Sequence, residues 1–427
     1  MYFHDLDVTK FQGATVILDV DGTIVIDGES SVSAVVQAKL TALTAQAKVF
    51  LCSNGHRDRI ASVATTLGLP LIPNVVLKPS PRVLAETTIA RTDKLVVIGD
   101  KFLTDGLLAA NLKAQFIKVD HVRGANEKPA VRLAYMIDRI VTVFAKPLTF
   151  LAPIWILMRP WQWVKNLLVF APLFFAAEVL DAHKLGSTML AGVAFCALAS
   201  LIYVINDLHD VEADRAHPLK QFRPLAWESI SRLQLVVLVV ALIAVVILIL
   251  TAVPVLLLVL LAYVFLNLVY SRYLKHWAVF DIVTIAFLYV LRIEAGGVAA
   301  AVYVSPWIIL CVFFGALFLA AGKRLAESRY PNRRSVLDQY TPEIIKSIVV
   351  AAAILVVSTY SLYSVLGSKS AFQVFTVPLV AIIIFRLLLK IIRQPEAGEF
   401  PESLVVKDWK VVAMLAIWLL ISFLLLY

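Results

Sequence analysis

The sequence predicts a chain of two parts: a small α/β, Rossmann-like domain, then an all-α membrane domain of about nine transmembrane helices. Three observations carry this. Hydrophobic residues make up 60% of the chain and the mean hydropathy is +0.85, a balance that soluble globular chains do not normally reach. The first ~120 residues, by contrast, alternate short apolar runs with polar segments, and none of the runs is long enough to cross a bilayer. Beyond them, long apolar runs alternate with basic loops, the pattern of a multi-pass helical domain.

In the first part, TVILDV at 15–20 is a short β-rich run that reads as a buried strand. It leads into Asp19-Val20-Asp21-Gly22-Thr23, two carboxylates one residue apart at a glycine turn. Such a pair allows one carboxylate to face a substrate while the other handles a proton. A second strand, 48–52, ends in Ser53-Asn54-Gly55 and is followed by a helix-like stretch at 57–67. Lys78 sits in a later loop, and a third strand at 95–98 ends in Gly99-Asp100, with Asp105 five residues on. Most of these polar residues fall at the C-terminal ends of strands, where open parallel sheets bind ligands.

These segments, DVDGT, the Ser53 strand end, Lys78 and GDKFLTD, come in the order of the haloacid dehalogenase-like phosphatase superfamily, which residues 1–122 resemble. The resemblance implies that Asp19 is a phosphate-accepting nucleophile and Asp21 the general acid/base. It implies that Ser53, with Asn54 beside it, and Lys78 hold phosphoryl oxygens. It also implies a Mg²⁺ site formed by Asp19, Asp100 and the backbone carbonyl of Asp21, with Asp105 in support. Only about 25 residues lie between the first motif and the second strand, too few for a large cap there, which suits a bulky or membrane-bound substrate.

Residues 123–165 read as an interfacial linker. Within 130–151, apolar residues are broken by Arg132, Asp138, Arg139 and Lys146, as in a helix lying on a membrane surface. RPWQWVKN at 159–166 then places Trp161 and Trp163 beside Arg159 and Lys165, the composition of an entry at headgroup level.

From 166 to 427, apolar runs predict spans at 166–182, 187–205, 233–251, 254–271, 280–300, 304–322, 343–365, 372–391 and 409–427. The loops after the second, fourth, sixth and eighth spans carry the Lys and Arg residues, among them Arg215, Lys220, Arg223, Arg272, Lys275, Lys323, Arg324, Arg333, Arg334 and Lys407. By the positive-inside rule these loops are cytosolic, and a cytosolic N-terminus gives the same parity. The chain is therefore expected in the inner (cytoplasmic) membrane, with its N-terminal domain and sites in the cytosol. Residues 1–11 carry acids and no apolar core, so no signal peptide is expected. The net charge of +9 is accounted for by these loops and by anionic headgroups, and does not point to nucleic acid. The three cysteines, Cys52, Cys196 and Cys311, show no metal or disulfide spacing.

The stretch with the most chemistry follows the second span. Asn206, Asp210 and Asp214 are spaced i, i+4, i+8, which stacks them on one face of a helix at the membrane surface. Oxygen ligands of this kind suit Mg²⁺ shared with substrate phosphates. Arg215, Lys220 and Arg223 follow at once, so a diphosphate leaving group fits. Asp281, Arg292 and Glu294 place further ionisable groups within or at the end of one span, where they are costly and usually face a cavity or each other.

RPWQWVKN, NDLHDVEADRAHPLKQFRP, YSRYLKHWAVFDI and GKRLAE together resemble the UbiA superfamily of intramembrane prenyltransferases. Where many members carry a second D-x-x-x-D after the sixth span, this chain has Lys323-Arg324-Leu325-Ala326-Glu327. That departure matches the decaprenyl-phosphate phosphoribosyltransferase branch. The resemblance implies a cell-wall biosynthetic transfer from phosphoribosyl pyrophosphate to a polyprenyl phosphate. In it Asp210 and Asp214 hold Mg²⁺ and Asn206 orients. Arg159, Lys165, Asn166, Lys220, Arg223, Arg272, Lys275, Asp281, Lys323 and Arg324 are candidates for contact with the donor or the lipid phosphate. The N-terminal domain is then expected to remove a phosphate from the product. Two other readings stay in view: an aromatic prenyltransferase using a prenyl diphosphate, and a transporter or receptor carrying a sensing domain.

Overall fold

The computed structural model describes residues 1–427 except 74–75, 92, 125–126, 128, 330–334, 395–397, 399–403 and 406–407. Arg333, Arg334 and Lys407 therefore lie outside the described residues. The chain divides into two compact units. One comprises Met1–Met158 with Tyr203–Val239; the other comprises Arg159–Ile202 with Val240–Tyr427.

The first unit is built on four parallel strands, β1 (Thr15–Leu18), β2 (Lys48–Leu51), β3 (Leu95–Gly99) and β4 (Gln115–Lys118), in the order β2-β1-β3-β4. Every residue of β1 and β3 is buried, as expected of central strands covered on both faces. The helices between the strands are α1 (Ala34–Thr44), α2 (Arg57–Leu67) and the short α3 (Leu107–Leu112). Ser33 caps α1 by accepting from the Val36 amide, and Gly68 ends α2 at φ +64, a left-handed conformation that favours glycine. The fourth strand had no motif to mark it in the sequence. The linker region folds as α4 (Pro129–Thr142) and α5 (Ala145–Met158), which meet at 98°. Leu133, Met136, Ile137 and Ile140 leave an apolar stripe exposed on α4, while Asp138 on its other side accepts hydrogen bonds from the Leu103 amide and Lys118.

Among the described residues, eight helices are long and apolar enough to cross a membrane: Ala182–His209, Arg232–Ala252, Pro254–Arg272, Phe280–Ala300, Pro306–Glu327, Pro342–Gly367, Ala371–Arg393 and Trp409–Leu426. They coincide with eight of the nine runs expected, and the bent pair α4–α5 is a ninth only if it counts as one span. The expected first span, 166–182, is a correction. Its chain winds as a 3-10 helix over Pro160–Phe170 and continues as α6 (Ala171–Phe175) only. Pro172 withholds an amide donor within the run, and Glu178 and Asp181 end the apolar stretch before it can extend further. In order, the remaining helices are α7 (Ala182–His209), α8 (Val211–Arg215), α9 (Pro224–Trp227), α10 (Arg232–Ala252), α11 (Leu257–Arg272), α12 (Phe280–Ala300), α13 (Pro306–Glu327), α14 (Pro342–Leu362), α15 (Val377–Arg393) and α16 (Trp409–Leu426). Gly296 lets α12 approach the Val169 carbonyl so closely that a Cβ there would collide with it.

Candidate functional sites

The first site lies at the C-terminal ends of β1, β2 and β3. Asp19, Lys78, Asp100 and Asp105 are all buried. Lys78 Nζ donates to Asp19 Oδ1 at 2.7 Å and to Asp105 Oδ1 at 2.6 Å. Burial disfavours the Lys78 ammonium, but Asp105 and Asp19 outweigh it and raise its pKa above the usual lysine range. Burial, with the negative charge of Asp105, lifts Asp19 well above the usual carboxylate range, and burial also raises Asp105. Burial alone would raise Asp100 too, yet hydrogen bonds from His121 and Tyr135 and the nearby Lys101 charge leave its pKa below the ordinary value.

Carboxylate oxygens of Asp19, Asp100 and Asp105 come within 4.8 Å of one another. Asp100 Oδ2 accepts from His121 Nδ1 at 3.0 Å and from the Tyr135 hydroxyl at 2.5 Å. Its Oδ1 is buried and has no partner among the described residues. An orphaned carboxylate oxygen in an all-oxygen cluster fits a hard divalent cation such as Mg²⁺. Gly22, at φ +77, sits under this corner, and a Cβ there would strike Asp100, Tyr135 and His121.

The other residues expected here hold one another. Asn54 Nδ2 donates to the Lys78 carbonyl at 3.1 Å, and Asn54 Oδ1 accepts from the Lys78 amide at 2.8 Å, so Asn54 fixes the lysine's backbone. Ser53 Oγ donates to Asp21 at 3.0 Å. Arg59 Nη2 reaches both Asp21 oxygens, at 2.5 and 2.6 Å. Sequence reasoning missed Arg59, His121 and Tyr135. For Arg59 a signal existed, a cation in the first turn of the helix after the Ser53 strand end. Beside the cluster, Asp27, His121 and Glu127 form a second group of possible metal ligands among the described residues.

The second site is the Asn206–Arg223 stretch. Helix α7 ends at His209 and α8 begins at Val211, yet the i→i+4 bonds from Asp210 N to Asn206 O (3.0 Å) and from Asp214 N to Asp210 O (2.8 Å) carry the helical path across the break. Asp214 is buried and Asp210 is partly exposed. Arg223 Nη1 donates to Asp214 at 2.6 Å and to Asp207 at 3.0 Å. Asp207, also buried, was missed, although its i, i+7 spacing to Asp214 puts the two on one helix face. Arg215 pairs with Glu212 and Glu228, and Lys220 is exposed. The donor set is again oxygen only, at a helix end with cations alongside, which fits Mg²⁺ with a diphosphate.

The remaining residues belong to the second unit. Asp281 and Arg324 form a buried ion pair: Arg324 Nε donates to Asp281 Oδ2 at 2.6 Å, and its Nη1 to Glu327 at 2.6 Å. The Tyr340 hydroxyl donates to Asp281 Oδ1 at 2.7 Å. Arg292 donates to Asn166 Oδ1 at 2.8 Å, to the Tyr263 hydroxyl at 2.9 Å and to the Leu288 carbonyl at 2.6 Å. Asn166 is thus an interior partner of Arg292, and Glu294 is not among that arginine's hydrogen-bond partners. Lys165 donates to Gln162 at 2.5 Å. Arg159 stands at φ +54 at the head of the 3-10 helix. Arg272 and Lys275 have no ion-pair partner among the described residues, and Lys323 is partly buried one residue before Arg324.

Residues 166–400, just over half of the chain, match the UbiA prenyltransferase family. The chain belongs to that family. Two relatives, from Corynebacterium glutamicum and Mycolicibacterium smegmatis, are each 38% identical over 48% of this chain, and the match covers 65% and 68% of them. One from Mycobacterium tuberculosis is 34% identical over 61% of this chain and 89% of its own length. All three are named decaprenyl-phosphate phosphoribosyltransferase. The solved structure of a UbiA homolog from Archaeoglobus fulgidus bound to GPP and Mg²⁺ covers 64% of this chain and 99% of that one, at TM-score 0.52 and 19% identity. That last likeness is one of fold. The motif around Asp210 lies inside the UbiA match, and the parallel-sheet domain lies before it.

Proposed function

We propose that the UbiA-type domain transfers a 5-phosphoribosyl group from phosphoribosyl pyrophosphate to a polyprenyl phosphate, and that the N-terminal domain then removes a phosphate from the lipid product. The observation that carries the first half is Arg223 clamping Asp207 and Asp214 beside Asp210, in a chain whose relatives bear the phosphoribosyltransferase name. In the transfer, the bond from ribose C1 to pyrophosphate breaks and a bond to the lipid phosphate oxygen forms. Asp210 and Asp214, with Asn206, would hold Mg²⁺, which supplies charge neutralisation for the departing pyrophosphate. Lys220 offers a cation to phosphate groups there.

The second half rests on the Asp19 cluster. Asp19 attacks phosphorus, the ester oxygen leaves with a proton from Asp21, and water then cleaves the aspartyl phosphate to release inorganic phosphate. Lys78 bridges Asp19 and Asp105 before substrate arrives. Asp19, Asp100 and Asp105 would hold Mg²⁺ here. The exposed apolar stripe of α4 supports a helix that lies on the membrane, and the basic loops support cytosolic sites in the inner membrane.

The test is lipid mass spectrometry after incubation with donor, Mg²⁺ and polyprenyl phosphate. Phosphoribosyl pyrophosphate should be consumed and both pyrophosphate and phosphate released, with Asp19→Asn stopping only phosphate release. Incorporation of a prenyl diphosphate instead would favour the second reading, a prenyl transfer like that suggested by the GPP bound to the Archaeoglobus homolog.

A further inference from the structure

The second site is seated on the core of the N-terminal sheet. Phe222 and Trp227, which flank Arg223, are buried in one apolar cluster with Ile17 of β1, Val97 of β3 and Leu108 and Leu112 of α3. Their rings lie 5.1 Å apart. Trp227 Nε1 donates to the Leu112 carbonyl at 2.9 Å. The Trp227 amide in turn donates to the Arg223 carbonyl at 2.8 Å. Outside this apolar contact, Arg91 of the N-terminal domain pairs with Glu228, which Arg215 also reaches. A loop that had only to carry carboxylates and cations at a membrane surface needs no tryptophan at its end. This one buries its tryptophan in another domain, and the hydrogen bond to a carbonyl at the end of α3 fixes its depth.

We propose that Trp227 is a positioning residue for phosphoribosyl transfer. It anchors Arg223 to the N-terminal domain and thereby sets where Asp207 and Asp214 stand, which makes that domain a structural part of the transfer site. The inference rests on the reading of Asp210 and Asp214 as the donor site. A misplacement of about 1 Å at a group that orients substrate can cost on the order of 100-fold in rate.

The experiment uses the full chain in detergent and compares wild type with Trp227→Ala and Trp227→Phe. It measures kcat and KM for phosphoribosyl pyrophosphate, the Mg²⁺ concentration for half-maximal rate, and trypsin cleavage after Lys220. Trp227→Ala should raise KM and the Mg²⁺ requirement by about tenfold or more while kcat falls less, and should speed cleavage of the loop similarly. Trp227→Phe, which refills the apolar slot, should recover most of both. Where Trp227→Ala does not fold, Trp227→Leu takes its place with the same expectations. A folded variant with wild-type KM, Mg²⁺ requirement and cleavage rate overturns the inference. If the wild-type chain transfers nothing from phosphoribosyl pyrophosphate, the donor-site reading falls by itself. The anchoring is then judged by cleavage alone: faster in the alanine variant supports it, unchanged overturns it.

Discussion

Arg324 and Asp281 meet at 2.6 Å inside the second unit, both almost wholly shielded from solvent, at 3% and 0% side-chain exposure. Each is further satisfied, Arg324 by Glu327 and Tyr270, Asp281 by Tyr340. Removing one partner of such a pair strands a buried charge. Asp281→Ala should therefore lower unfolding stability by about 3–5 kcal/mol, and Asp281→Ala with Arg324→Ala by less than the sum of the two single changes. Thermal unfolding of the purified protein in detergent checks this. Additive losses would mean that the pair does not act as a unit.

Lys78 stands between two buried carboxylates. Lys78→Met keeps the length of the side chain but leaves Asp19 and Asp105 facing each other without a cation. Phosphate release should fall by 100-fold or more, on the order of 3 kcal/mol for a lost charged contact to the reacting group. Pyrophosphate release should stay near the wild-type rate. Parallel assays for the two products read the outcome, and an equal fall in both would count against separate sites.

Arg223 holds two buried carboxylates of the proposed transfer site. Arg223→Ala should lower pyrophosphate release to about 1% of the wild-type rate or less, and Arg223→Lys should recover only part, since the shorter lysine ammonium lacks the reach and planar geometry that place Nη1 between Asp207 and Asp214. Phosphate release from a soluble phosphate ester should continue in both. Full transfer activity in Arg223→Ala would remove this arginine from the site.

Burial pushes the Cys52 thiol up to about 12. A raised folded pKa contributes stability that is fully present below the unfolded value of about 8.5 and is lost as pH rises from there toward the folded value. At pH 8 the folded thiolate fraction is on the order of one in ten thousand. In a Cys196→Ser, Cys311→Ser background, iodoacetamide should leave Cys52 unmodified at pH 8 and alkylate it promptly in denaturant. Rapid labelling of the folded chain would show that the strand end opens.

Much of this was legible in the chain. The strands ending in Asp19, Ser53 and Asp100 form where short β-rich apolar runs stop at glycine or asparagine, and helix Arg57–Leu67 has the bounds its pattern suggested. Eight long apolar helices stand where eight long apolar runs are. The expected span at 166–182 fails because Pro172 interrupts the run and Glu178 and Asp181 end it, leaving too short an apolar stretch for a full helix. The partners of the site residues were less legible. Arg59 on Asp21, His121 and Tyr135 on Asp100, and Tyr340 on Asp281 are separated by 38, 21, 35 and 59 residues, and no local period links them. Asp207 was legible in principle, from its spacing to Asp214, but the pattern chosen began one residue earlier.

By itself the sequence determined where the chain turns apolar, where its carboxylates stand at element ends, and to which family it belongs. These are local properties, set by side-chain transfer free energies and backbone preferences along a few turns. Only the tertiary structure decided which charge answers which. Lys78 bridges Asp19 and Asp105, Arg324 pairs with Asp281 and Arg223 holds Asp214, because a buried charge must find its counter-charge wherever the packed chain brings one. It also decided that Trp227, four residues after Arg223, is buried in the core of the N-terminal sheet.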